Sequence, residues 1–336
     1  MSYQRIATPK IYIDMINPLL ENGTITGTGE ITGNWNGSGA TATDVIQLFD
    51  NKPNNTVTIG GNGASHTQTI TVDTNISVVD GLLGETMFVA VLGHNLKTAG
   101  AYLDISTDAD GTFNGGTTTP TTLAEVYNAD TAASSGHTAV PDSDGWSLFT
   151  YTQASANRFQ RLSVVSVAGN YEADIKIGCI LWGVAYTFPS SPDMNIKRSF
   201  NYGGLKINES LGGQKYAHAT HLTNGKWTAT GAWDASTETA FKTGRHQIDM
   251  SFSYLADTDA FPSNIYDMGV SRTDESVLNR LIFMTNGGMF PLLLQLDSTE
   301  NSGDDGWLWC RLNNRPSFDQ VAHRHWSTNL SFIEEF

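Results

Sequence analysis

Two acidic turns come closest in this sequence to a metal-binding pattern. Asp104, Asp108 and Asp110 lie in DISTDADG, and Asp142 and Asp144 lie in DSDG. Calcium takes about six to eight oxygen ligands, which the carboxylates and carbonyls of such loops supply. Asp-x-Asp-Gly is also ordinary turn chemistry, because Asp accepts hydrogen bonds from its own backbone and Gly adopts positive φ. Neither turn continues with EF-hand spacing, so we expect structural turns, with Asp104, Asp108 and Asp110 as the calcium alternative.

Histidine and cysteine are placed in ways that do not predict a metal site. The histidines cluster in HATH (218–221) and HRH (323–325), but no Cys or second His pair stands near either cluster. Cys179 and Cys310 are far apart in sequence and fit no zinc spacing. We therefore expect two buried free thiols, no bound metal and no cofactor.

Eight tryptophans are available to a binding surface or to a core. Trp307 and Trp309 are two residues apart, so on a strand they face the same side and could form a platform on which a sugar ring stacks. The alternative interpretation is that both fill the core or a subunit interface, where Trp is enriched. We favour the core or interface and keep Trp307 and Trp309 as the glycan-binding hypothesis.

Enzymatic motifs are not found in the sequence. Glycoside hydrolysis needs two carboxylates about 5–10 Å apart, one of them with a raised pKa, and no pair of acidic residues stands out from the Gly-rich turns. The chain has no Gly-x-Ser-x-Gly, His-Glu-x-x-His or P-loop motif. We expect that the protein is not an enzyme.

The composition is that of a turn-rich β protein. Charged residues are 16% of the 336, Gly occurs 33 times, and the formal net charge is −15. Such an acidic balance argues against a nucleic-acid partner, because phosphate binding needs clustered Lys and Arg. No apolar run approaches the roughly 20 residues that span a bilayer, and MSYQRIATPK has no apolar signal core. We expect synthesis in the cytoplasm and no membrane insertion.

Strand patterns dominate both halves of the chain. Residues 44–188 form a succession of short runs rich in β-branched and aromatic residues, separated by Gly, Asn and Asp, which predicts a jelly-roll β-sandwich. The polar stretch 108–145 is expected to be a surface excursion with at most a short helix. After FPSSPD at 188–193, a second β-rich domain (189–336) is predicted, with one short helix at 276–288 that ends at Asn-Gly. The fold class is thus all-β.

The N-terminal 43 residues differ from the rest. Residues 1–22 carry closely spaced apolar side chains, and residues 23–43 are a Gly/Thr/Asn-rich linker that cannot offset its own ordering entropy. The apolar segment is either an edge element folded on its own domain or an arm that docks on a neighbouring subunit. The arm hypothesis rests on Ile11, Tyr12, Ile13, Ile16, Leu19 and Leu20.

Three segments resemble parts of structural proteins found near the tail tip of tailed bacteriophages. VAVLGHNLKTAGAYLDISTDADG (89–111) is similar to a galactose-binding-like, discoidin-type jelly roll, and ADIKIGCILWGVAYTFPSSPD (173–193) to its last strand and exit. ESLGGQKYAHAT (209–220) follows an apolar strand as in such proteins. The resemblance runs from about residue 76 to the end, with gaps. It implies a tail-tip, baseplate or fibre-adaptor component present in several copies, without catalytic residues.

The expected function is therefore mechanical. A virion tail protein of this kind would associate with itself as a homo-oligomer and attach other phage tail proteins, by burying apolar surface and pairing strand edges. The alternatives are a host-attachment protein whose jelly roll binds a surface glycan, and a polysaccharide depolymerase.

Overall fold

Two antiparallel β-sheets dominate the structure, a computed structural model. It describes residues 7–27, 29–34, 45–63, 67–76, 84–113, 119–120, 123–128, 130–131, 138–153, 157–202, 205–219, 244–264, 275–298 and 306–335. Within these ranges an 11-stranded sheet and a 7-stranded sheet are accompanied by two separate two-stranded ribbons. The prediction of an all-β fold is confirmed.

The described strands are numbered in chain order. They are β1 (Lys10–Asp14), β2 (Ile31–Asn34), β3 (Val57–Gly60), β4 (Gln68–Asp73), β5 (Thr86–His94), β6 (Ala101–Asp108), β7 (Thr119–Pro120), β8 (Ala124–Tyr127), β9 (Asp130–Thr131), β10 (Thr138–Val140), β11 (Gly145–Thr152), β12 (Phe159–Ser166), β13 (Ile175–Ile177), β14 (Cys179–Thr187), β15 (Lys197–Tyr202), β16 (Leu205–Glu209), β17 (Lys215–Ala219), β18 (Gly244–Ala256), β19 (Leu292–Gln295), β20 (Trp307–Leu312), β21 (Phe318–Ala322) and β22 (His325–Glu334). The helical elements are short: α1 (Ile16–Glu21), a 3-10 helix (Val45–Phe49), α2 (Asp257–Ala260) and a π-helix (Leu278–Phe283).

The large sheet runs in the order β15-β18-β22-β20-β19-β1-β14-β5-β11-β8, with β21 added beside β22. The smaller sheet runs β2-β4-β12-β6-β10-β9, with β7 beside β6. Alternate residues of β4, β6 and β12 are buried against alternate residues of β5, β11 and β14 in one apolar core. Because side chains alternate between the faces of a strand, this arrangement is a sandwich of two sheets.

Strand β1 lies in the interior of the large sheet. Ile13 pairs with Val184 of β14 on one side and with Leu292 of β19 on the other. β14 belongs to the predicted jelly roll, whereas β19 belongs to the predicted C-terminal domain. The sheet is therefore continuous across the boundary expected near residue 188, and the two halves share β1 as a common strand.

The end of β1 is fixed by a buried carboxylate and a close backbone approach. Asp14 accepts hydrogen bonds from the backbone N–H of Trp182 (3.0 Å), of Ile16 (3.3 Å) and of Asn17 (2.9 Å), and from the Asn17 side chain (2.7 Å). A Cβ on Gly183, the residue opposite Asp14, would lie 1.9 Å from the Ile13 carbonyl oxygen. Glycine is therefore required at 183 for β1 to turn into α1 beside β14.

A buried ion pair makes a second connection between the halves. Arg280, on the π-helix, donates to the Glu85 carboxylate just ahead of β5 at 2.7 Å, and the two side chains are 1% and 9% exposed. Burial raises the pKa of Glu85 and the charge of Glu275 raises it further, whereas Arg280 lowers it. The pair is satisfied in the interior, but either partner alone would be an uncompensated buried charge.

The short helix predicted at 276–288 is present in part, as the π-helix, which ends at Phe283; the predicted stop, Asn286 and Gly287, lies in the turn that follows, with φ of 51° and 68°. Leu281 and Met284, within the predicted range, are buried. Within the polar stretch 108–145 the sequence allowed at most a short helix, at TLAEVYNA (122–129). Residues 124–127 of this segment instead form strand β8, whose Glu125 pairs with Phe149 of β11, because pairing with the sheet edge outweighs weak helix propensity.

We predict that Gly183→Ala destabilises the protein by about 2 kcal/mol or more, because the methyl group would collide with backbone rather than with a movable side chain. Gly306→Ala is the matched control, since nothing lies within 4 Å of a Cβ there. Chemical denaturation of both variants measures the difference. Equal midpoints for the two would contradict the close-approach argument.

We predict that Arg280→Met costs about 3–5 kcal/mol near neutral pH, because Glu85 is left charged and buried. A raised folded-state pKa means that the folded state binds the proton more tightly, so the cost should shrink as pH falls through the raised pKa of Glu85. Denaturation of Arg280→Met, of the double variant with Glu85→Gln, and of the exposed control Arg315→Met as a function of pH tests this. A cost independent of pH, or one not reduced in the double variant, would refute it.

Candidate functional site

In the structure, the aspartates of the first acidic turn accept hydrogen bonds from neighbouring groups of the same turn. Asp108 accepts hydrogen bonds from the backbone N–H groups of Asp110 and Phe113, and Asp110 accepts from the N–H and the hydroxyl of Thr112. Asp104 lies on β6, opposite residues of β10 and β12. The carboxylates of the calcium alternative are thus spread along a strand and its following turn. No group of three or more His, Cys, Asp or Glu residues arranged to hold a metal occurs in the described part of the chain.

The second acidic turn connects two loops. Asp144 accepts hydrogen bonds from the Thr98 N–H at 3.0 Å and from the Thr98 hydroxyl. It thereby ties the loop after β5 to the start of β11. This arrangement agrees with the structural interpretation of DSDG.

A Ser-His pair that the sequence did not single out is buried between β5 and β11. The His94 Nε2 atom is 2.9 Å from the Ser147 hydroxyl oxygen, and both residues are fully buried. The Leu96 N–H donates to His94 Nδ1 at 3.3 Å, and the Ser147 hydroxyl donates to the Asn128 carbonyl at 2.8 Å. With Nδ1 accepting, Nε2 carries the proton, so the ring donates to Ser147. A nucleophilic serine needs the opposite arrangement, and the pair is therefore structural.

Two carboxyl groups have the raised pKa that a general acid needs. Burial raises the pKa of Asp14 as well as that of Glu85. Asp14 is enclosed by its own chain and accepts four hydrogen bonds, and Glu85 is paired with Arg280. Both carboxyls are therefore engaged by other groups of the chain.

The two cysteines are buried and free, as expected. Cys179 is on the outer face of the large sheet and Cys310 is on the face toward the sandwich core. Burial raises the pKa of each thiol well above its ordinary value. Because the thiolate is the reactive form, neither thiol is activated.

The tryptophan pair belongs to an aromatic cluster on the outer face of the large sheet. Trp309 is buried, whereas Trp307 is half-buried and lies 5.4 Å from the Trp146 ring, 5.5 Å from Tyr12 and 5.7 Å from Tyr127. Tyr127 stacks on Trp146 with ring centroids 3.8 Å apart. The prediction that 307 and 309 face the same side holds in this geometry, since both join the same apolar cluster. Trp307 and Tyr127 are its accessible members.

The residues of the predicted arm lie inside the protein's own core. Ile11, Tyr12, Ile13, Ile16 and Leu19 are at most 4% exposed, and Leu20 packs partly buried against the same core. This placement fits the interpretation of an element folded on its own domain, although β1 is a central strand rather than an edge. An arm that docks on a neighbour would have to leave the middle of the sheet.

Two segments that carry the bacteriophage resemblance meet in space. Asn95 of LGHNL donates from its side chain to the Asp174 carbonyl at 2.8 Å and accepts from the Lys176 N–H at 2.7 Å, beside the IKIG strand. A Cβ on Gly93 or on Gly178 would lie within 2.0 Å of the Pro53 carbonyl oxygen. The motif residues are therefore explained by a tight crossing of backbones.

The third resembling segment forms the most exposed part of the described chain. β16 and β17 pair with each other in a separate ribbon, and every residue from 207 to 216 is exposed. Among the described residues ten large apolar side chains are exposed, and five of them fall within residues 194–202 and 205–216, which we call the exposed segment: Met194, Phe200, Ile207, Leu211 and Tyr216. Such a concentration makes the exposed segment the candidate interaction surface among the described residues.

The histidines of the two sequence clusters lie in separate elements where the structure describes them. His323 and His325 are exposed at the turn between β21 and β22, where Arg324 has a φ of 57°. In the other cluster, His218 lies on β17, and His221 falls outside the described residues. Trp35, Trp227 and Trp233 also fall outside them.

Sequence reasoning missed the His94–Ser147 and Glu85–Arg280 pairs. His94 and Ser147 are 53 positions apart in sequence, and Glu85 and Arg280 are 195 positions apart. The available signal was polarity in an apolar context: His94 ends a nine-residue strand that is otherwise almost entirely buried and apolar. A polar residue at such a position must find a partner, but the sequence does not name it.

We predict that Asp108→Ala destabilises the protein by about 1–3 kcal/mol, because two backbone N–H groups lose their acceptor. Asp110→Ala, at the exposed end of the same turn, should cost less. Thermal unfolding of both variants and of the unaltered protein with calcium or chelator provides the measurement. A melting temperature that rises with calcium, and no longer does so in Asp108→Ala, would favour the calcium alternative.

Comparisons with protein-family models, with curated proteins and with solved structures gave no significant match to this chain. Among the described residues, no helix has the length and apolar character that crossing a membrane would require.

Proposed function

We propose that this protein is a structural component of a bacteriophage tail, at the tail tip, baseplate or fibre attachment. In this role it assembles in several copies and holds other tail proteins. The resemblance of its three segments to tail proteins supports the proposal, and the exposed segment carries it on the structural side. A rigid β framework with a concentrated exposed apolar surface suits a component whose work is association.

The internal construction favours mechanical use over catalysis. The Ser-His pair and the carboxyls with raised pKa are engaged in holding strands together, as described above. The two halves share a central strand and a buried ion pair, so force applied to one half passes to the other through backbone hydrogen bonds.

The proposal predicts that the protein is present in mature virions at a fixed copy number. Quantitative mass spectrometry of purified particles measures that number. Antibodies against the chain, visualised by electron microscopy, should label the tail rather than the head. Absence of the chain from purified particles, or labelling confined to the head, would refute the proposal.

A host-attachment role is the second candidate, and the aromatic cluster favours it. Trp307 and Tyr127 combine accessible ring surface with polar tips, which is the equipment for stacking on a sugar. A glycan array probed with the unaltered protein and with Trp307→Ala distinguishes the roles. Saturable binding lost in Trp307→Ala would establish attachment, whereas no binding by the unaltered protein would remove it. Incubation of the protein with host surface polysaccharide tests the depolymerase alternative. Loss of polymer would support that alternative, whereas unchanged polymer would remove it.

A further inference from the structure

In the part of the chain that the structure describes, the strands of the β16–β17 ribbon pair with each other and with no other strand. Its turn is closed locally, with the Ser210 N–H donating to the Gln214 carbonyl and the Gly213 N–H donating to the Ser210 carbonyl. Leu211 at the tip is fully exposed, at 113% of its reference value, and Ile207 and Tyr216 are 59% and 55% exposed. A two-stranded hairpin on its own is marginally stable in water. Apolar side chains on such a hairpin become favourable when another surface covers them.

The charge of the exposed segment differs in sign from that of the rest of the protein. Residues 194–216 contain four Lys and Arg and a single Glu, a net charge of +3, so the other 313 residues carry −18. A cationic apolar projection on an acidic body is complementary to the acidic body of another copy. Two exposed segments facing each other would instead bring like charges together.

We infer that the exposed segment docks on the acidic body of a second copy of this chain, with Leu211 and Ile207 as its apolar contacts. The inference deepens the proposed function and rests on it for its role in the tail. Because the two surfaces differ in charge, the contact is head-to-tail: each copy offers its segment to one neighbour and its body to another. A contact of this kind closes into a ring or continues as a filament.

Self-association of the full-length protein, followed by sedimentation and light scattering over a range of concentrations, tests the inference. Leu211→Ser and Ile207→Thr should each weaken association by about tenfold or more, since each removes a buried aliphatic group from the contact. Neither side chain supports the monomer fold, so melting temperatures should stay unchanged. Val321→Thr, at an exposed apolar position on β21, is the matched control and should associate normally.

The electrostatic contribution to self-association is tested separately. Raising salt from about 50 mM to about 500 mM should weaken association. Arg198→Gln, in the exposed segment, should weaken it at low salt more than Arg315→Gln, which is exposed elsewhere. A photo-crosslinker placed at position 211 should join one copy to an Asp- or Glu-bearing peptide outside residues 194–216 of another.

Three results would overturn the inference. They are a protein that is monomeric at all concentrations, an oligomer unaffected by Leu211→Ser and Ile207→Thr, and crosslinks from position 211 into residues 194–216 of the neighbour. The proposed function fails separately, by absence of the chain from purified virions. Presence in tails with a monomeric isolated protein would leave the tail role standing and assign the exposed segment to a different tail protein.

Discussion

The hydrogen bonding of β1 on both edges is the constraint on which the rest of the structure depends. On one edge β1 bonds to β14 of the sandwich, and on the other to β19, which belongs to the C-terminal part of the sheet. The five residues of β1 thereby join two distant segments, since the partners of Ile13, Val184 and Leu292, are 108 positions apart in sequence (292 − 184). Asp14 and Gly183 fix where β1 must end, because the carboxylate binds the Trp182 N–H and any side chain at 183 would meet backbone. The sheet can extend through both halves because this junction leaves no break in its hydrogen bonds.

Buried polar groups then give the sandwich a single register. The Trp182 indole N–H donates to the Tyr151 hydroxyl at 2.8 Å, and that hydroxyl donates to the Gln160 side chain at 2.9 Å. This chain of bonds crosses from the large sheet to the smaller one. A slip of one residue in any of these strands would turn its side chain to the opposite face and leave a buried polar group unpaired. Apolar packing alone would tolerate more arrangements, so the polar chain contributes specificity where the core contributes stability.

The sequence predicted elements well where the signal was local and poorly where it was not. Alternation in residues 67–72 and the Asn286-Gly287 stop are local patterns, and β4 and the π-helix follow them. The position of β1 could not be predicted, because a short strand such as KIYID has the same sequence pattern at the edge of a sheet and at its centre. The partners of Glu85 and His94 are likewise set by the fold rather than by spacing. For the candidate site, the run of apolar residues at the N-terminus attracted the assembly hypothesis, whereas Leu211 and Ile207 lay in a polar context and did not.

β1 and the β16–β17 hairpin differ in how readily each could be used for contacts with a neighbouring copy. A strand in the middle of a sheet is bonded on both edges, so using β1 as an exchanged arm would expose two rows of backbone groups and the core behind them. A hairpin that packs on little of its own chain can be ordered by a neighbour at small cost to the monomer. Its turn is already closed by backbone bonds, so docking orders few additional residues. The same reasoning explains why the hairpin carries exposed apolar side chains. They are proposed to become buried only when a second copy binds, and they contribute little to the stability of the monomer.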